Sequence, residues 1–127
     1  ISSYMTENKE FLENLQKTII DGIQDRKGRS VTVVDMSDIE AAATSTFIIA
    51  EGTSPMHVSA VADSVRDYVL EHADVKPFNY DGYTNSEWIV IDYGSILVHI
   101  FVPDARQRYN LEELWSDAVI TNVPDLD

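Results

Sequence analysis

A chain of 127 residues has room for one domain and one core, and 44% hydrophobic and 24% charged residues, with five Gly and four Pro, exclude a collagen-like, low-complexity or disordered polymer. Zero cysteines exclude disulfides, thiolate zinc sites and a cysteine nucleophile, and no apolar run nears the roughly 18 residues of a membrane span. The net charge of −13 is unevenly placed: residues 1–30 hold five basic and five acidic side chains, residues 31–127 four basic and 17 acidic.

Ile1 opens the chain, and Met5, followed by Thr6 and Glu7, reads as the natural start, so residues 1–6 are expected to be an appended or disordered lead. No basic segment leads into an apolar stretch, as a signal peptide would require. From Glu7 to Lys27 the spacing of Leu12, Leu15, Ile19 and Ile23, widened by Phe11 and Ile20, predicts an amphipathic helix. Thr6 is expected to cap it and Gly28 to stop it. The basic residues Arg26, Lys27 and Arg29 then complement its C-terminal end. Val31–Asp35 and Thr46–Ala50 are β-branched or apolar runs that predict strands. Ser54 is a good N-cap and Pro55 suits the first helical position. The helix they open carries Val58, Val61, Ala62, Val65 and Val69 on one face, to about Ala73.

Val75–Tyr80 predicts a third strand, and Pro77 places it at an edge. Asp81-Gly82 is a turn signal. Glu87–Asp92 and Ile96–Val102 flank Tyr93-Gly94-Ser95 and predict an antiparallel hairpin, with Gly94 taking the positive φ. Leu97, His99 and Phe101 share one face of the second arm; Ile96, Val98, Ile100 and Val102 share the other. Short helices at Asp104–Arg108 and Leu111–Trp115 close a single domain over 7–120, and 121–127 read as a mobile tail. The class is mixed α/β: mainly a five-stranded sheet with one strand-helix-strand crossover, a C-terminal hairpin and flanking helices.

Chemistry is sparse. His57, His72 and His99 lack the spacing of a helical metal pair. His57, in the first turn of its helix, faces solvent or a partner. His99, mid-strand, reads as a core histidine, with Asp92 beside it across the hairpin. No nucleophile completes a triad. Gly52-Thr53-Ser54 lies where a helix N-terminus attracts anions, yet the lysine and fuller glycine loop of a P-loop are missing, and a plain helix start explains the residues. Trp115 reads as an anchor for the last helix. Trp88 and Tyr93 are either core residues or, with carboxylates nearby, the makings of a docking hot spot. So acidic a body disfavours nucleic acid as the main contact and suits a basic protein, although acidity also serves solubility alone.

Three blocks carry a resemblance: Phe47–Ser54 with His57-Val58 and Ala60–Asp63; Trp88–Gly94 with Val98–Phe101; and Arg106 with Tyr109–Glu112 and Leu114-Trp115. Together they are similar to the signatures of the ribosomal silencing factor (Iojap-related) family, in its order, over about Ser30 to Ala118. The resemblance implies a nucleotidyltransferase-like fold without an established catalytic role; no cofactor or metal is expected, and the absence of cysteine fits a cytoplasmic setting. It implies binding to the fourteenth protein of the large ribosomal subunit, a basic protein at the subunit interface. Small-subunit joining is then obstructed and translation lowered, notably under nutrient limitation. Several members are homodimers when free, so a dimer is expected. Two departures stand out, Ser45 and Ser95, each in place of an acidic residue common in the family; a milder change is its Glu-Gly turn, here Asp81-Gly82. The expected contact residues are Thr53, Ser54, His57, Trp88, Asp92, Tyr93 and Tyr109. The alternative is a nucleotidyltransferase-like enzyme, which needs closely spaced carboxylates for magnesium after a Gly-Ser. Here Gly52-Thr53-Ser54 is followed only by Asp63 and Asp67, four apart on the helix.

Overall fold

The computed structural model describes residues 2–39, 42 and 44–126, with side chains from Asn8 onward. Helix α1 (Ser2–Asp25) begins before Thr6, which therefore lies within the helix and does not cap it. Leu15, Ile19 and Ile23 are buried at their helical spacing, whereas Phe11 stays largely exposed. The helix ends on Lys27, which takes a left-handed φ of 60°, and Gly28 N–H closes the turn onto Ile23 O at 2.9 Å. Gly28 serves by its missing side chain, since a Cβ there would collide with Ile23.

Strands β1 (Arg29–Asp35) and β2 (Thr46–Glu51) pair antiparallel, and α2 (Pro55–Ala73) follows. All five valine and alanine positions of the predicted α2 face are buried, and Ser54 Oγ accepts the N–H of His57 at 3.1 Å as the N-cap. Strands β3 (Asn79–Asp81), β4 (Trp88–Asp92) and β5 (Ile96–Phe101) form an antiparallel meander. β3 is shorter than the Val75–Tyr80 expectation and sits at the edge that Pro77 announces. Proline has no N–H to give, and the first bond to β4 is from Phe78 N–H to Asp92 O at 2.8 Å. Helices α3 (Pro103–Tyr109) and α4 (Leu111–Leu114) follow β5.

Among the described residues the sheet has six strands, not five, in the order β3-β4-β5-β2-β1-β6. The sixth, β6 (Val119–Asn122), pairs antiparallel with β1, and the residues beyond it, expected to be a mobile tail, are fastened to the body. Val123 N–H donates to Val31 O at 2.8 Å, Gln24 Nε2 to Pro124 O at 3.0 Å, and Ser30 N–H to Asp125 Oδ1 at 2.8 Å. β2 and β5 pair in parallel at the centre, so the crossover passes through α2, β3 and β4 before its partner strand arrives. No helix among the described residues is long and apolar enough to cross a membrane.

Strand alternation divides the core. Ile48, Ile89, Ile91, Val98 and Ile100 point toward α1 and α2 and join Leu15, Ile19, Val61 and Val65. On the opposite face Val34, Met36, Ile49 and Phe101 pack with Ala105 of α3 and with Trp88, Phe47, Leu111 and Trp115. α1 and α2 cover the first face; the shorter α3 and α4 are the helices that pack on the second.

Candidate functional site

Trp88, Val90 and Asp92 alternate with the buried Ile89 and Ile91, so they emerge on the face away from α1 and α2. All three are half-buried, as is Leu97, which stands opposite Asp92 on β5. The Trp88 ring stacks on Phe101 (centroids 5.1 Å apart, planes 19° apart) and lies 4.6 Å from the ring of Tyr109. Tyr109 is about half exposed. It is carried by α3, which Arg106 fastens to the sheet: its guanidinium, 11% exposed, donates to Ser30 O at 2.7 Å and Thr32 Oγ1 at 3.0 Å. The same group donates to Glu112 at 3.2 Å, tying in α4 as well. Glu87, next to Trp88 in sequence, is exposed, as is Asp104, and Val102 N–H donates to Glu87 O at 2.9 Å.

The hairpin register corrects one pairing. Val90, not Asp92, stands opposite His99, and Asp92 Oδ1 instead accepts the N–H of Gly94 at 2.7 Å. That bond braces the turn, where Gly94 has φ 85°. The partner of His99 is Trp88, whose indole Nε1–H donates to His99 Nδ1 at 3.1 Å. Burial lowers the His99 pKa to about 4, so the ring is neutral near pH 7.

Tyr93 is the clearest correction. It follows β4 with the parity of Ile89 and Ile91, is 5% exposed and belongs to the core beneath the helices. Its hydroxyl is buried with no partner among the described residues, and burial raises its pKa. It therefore offers no surface on the Trp88 face.

Thr53, Ser54 and His57 lie at the same end of the sheet as Trp88 but beyond two strands, after Glu51, which pairs with Phe101. They are engaged with their own fold. His57 Nδ1 accepts the N–H of Thr53 at 2.8 Å, and His57 Nε2 contacts Arg26 O at 2.7 Å, which clips the start of α2 to the end of α1. The phosphate reading of this junction loses a donor thereby, because the Thr53 N–H is already used. Asp63, one of the carboxylates that an enzyme would need, accepts the Tyr83 hydroxyl at 2.9 Å.

Of the seven expected contact residues, the structure brings Trp88, Asp92 and Tyr109 to one face, and it sets Thr53, Ser54, His57 and Tyr93 elsewhere. Sequence reasoning missed Val90 and Leu97 on the open face, although counting by two from Trp88 reaches Val90. The two departures from the resemblance meet: Ser45 Oγ donates to Ser95 O at 2.8 Å.

The family model described as "Ribosomal silencing factor during starvation" matches residues 9–127. The Ribosomal silencing factor RsfS of Halalkalibacterium halodurans is 32% identical over 106 residues, covering 84% of this chain and 89% of that protein. A mouse protein named Mitochondrial assembly of ribosomal large subunit protein 1 is 28% identical over 96 residues, 74% of this chain and 42% of its own length. Among solved structures, a Chromobacterium violaceum protein superposes with a TM-score of 0.76 at 31% identity, covering 82% of this chain and 85% of that one. The chain belongs to the ribosomal silencing factor family.

Proposed function

We propose that this protein is a stoichiometric blocker without turnover, which docks on the large ribosomal subunit and hinders small-subunit joining. Its partner there is the basic fourteenth protein of that subunit. The observation that carries the reading is the Trp88 ring. It is rigidly backed by Phe101 and Tyr109 and half-buried on the sheet face opposite the long helices. A half-buried aromatic anchor on a chain of net charge −13 has the composition of a hot spot for a basic protein. The name of the mouse relative points to the same subunit. A cytoplasmic setting and a homodimer of the free protein belong to this reading.

Cosedimentation with purified large subunits tests it. Trp88→Ala weakens binding by about 2 kcal/mol, roughly thirtyfold, while thermal unfolding stays cooperative. Tyr93→Phe, a change inside the helical core, binds as the parent does. Undiminished cosedimentation of Trp88→Ala removes this face from the interface.

A further inference from the structure

His99 is an expensive residue for its position. It is 5% exposed, its ring centroid lies 4.5 Å from that of Phe47 and 6.2 Å from that of Phe101, and its buried Nε2 has no partner among the described residues. An indole nitrogen only donates, so the bond from Trp88 Nε1 at 3.1 Å makes Nδ1 the acceptor and leaves the ring's hydrogen on Nε2. A leucine or phenylalanine would fill the space among these aromatic rings without leaving a polar atom unmet. What the imidazole alone supplies is the acceptor for Trp88.

We propose that His99 is a positioning residue for docking: by taking the indole N–H inward, it presents Trp88 with its polar atom already satisfied. This rests on the docking reading above. Were the N–H turned outward, any partner covering the ring would have to strip water from it and offer an acceptor in register. With the N–H held inside, the exposed part of the ring is apolar and quadrupolar only. It then suits the aliphatic stem or cationic head of a lysine or arginine, which a chain of net charge −13 also attracts. The contact at Trp88 is therefore made by a basic side chain of the partner, without a hydrogen bond to the indole.

The test separates the bond from its consequence. In the free protein, the indole N–H signals of Trp88 and Trp115 are followed by nuclear magnetic resonance, and Trp115→Phe identifies which is which. His99→Leu should speed exchange of the Trp88 indole hydrogen at least about tenfold and shift its resonance. His99→Asn, whose Oδ1 can occupy the place of Nδ1, should restore protection. Binding to large subunits should fall about tenfold in His99→Leu and recover in His99→Asn, with cooperative thermal unfolding in both. Unchanged indole exchange in His99→Leu overturns the bond. Faster exchange with undiminished binding, while Trp88→Ala still binds weakly, overturns the positioning role alone. Undiminished binding by Trp88→Ala overturns the docking reading and the positioning role together.

Discussion

His99 gives the molecule a pH dependence of definite sign. Its folded pKa is lowered to about 4 from an ordinary 6.5, so the unfolded chain takes up a proton that the folded chain refuses. Stability is full above the unfolded value and is lost as pH falls through the window from 6.5 to about 4. The loss is of the order of 3 kcal/mol from this group. Urea unfolding of the parent between pH 7 and about pH 4.5 should show it, and His99→Leu should lose markedly less over the same interval. Equal losses in both proteins would assign the effect to other groups. The same residue marks how far side chains are legible in a sequence. That His99 belongs to the core follows from the apolar run around it. That it holds Trp88 does not, because the bond depends on which neighbour the hairpin register brings across. Tyr93, by contrast, was readable: counting by two from Ile89 and Ile91 leads into the core, and its place at the turn concealed that parity.

Elements rich in local pattern declared themselves. The valine face of α2, the β4–β5 hairpin and the Ser54 cap all follow from spacings within about twenty residues. β6 did not, because only Val119 and Ile120 signal a strand there, and its partner β1 lies some ninety positions earlier. The packing of α1 on α2 is likewise invisible in either helix alone. It turns on Gly22, where an added Cβ would stand 3.0 Å from both Tyr68 Cβ and the backbone Cα of Val65, while Ser64 Oγ donates to Gly22 O at 2.7 Å. Gly22→Ala gains about 1 kcal/mol of helix propensity but forces two backbones apart, an overpacking that costs about 1–3 kcal/mol. The net expectation is a lower melting temperature by calorimetry, by about 5 °C for each kcal/mol lost. A rise would mean that the helices part without cost.

At the scale of the molecule, the proposed docking face and the long helices lie on opposite sides of one sheet. The helices seal one side, and the chain as a whole carries a net charge of −13. Such a field speeds encounter with a basic partner and repels neighbouring phosphates, and it is screened beyond roughly 10 Å at 0.1 M salt. The association rate with large subunits, measured by stopped flow, should therefore fall as sodium chloride rises; a flat response would sink the electrostatic part of the proposal. The central pair β2–β5 carries a different consequence. The sheet is two antiparallel halves, β6-β1-β2 and β3-β4-β5, welded along one parallel seam whose strands are separated by the whole of α2, β3 and β4. Each half contains a neighbouring pair that can zip early, but the weld requires a long chain closure before any of its contacts repay the lost freedom. A newborn chain thus carries an unpaired β2 edge until residues 96–101 have emerged and turned to lie alongside 46–51, and an unpaired β1 edge until 119–122 follow.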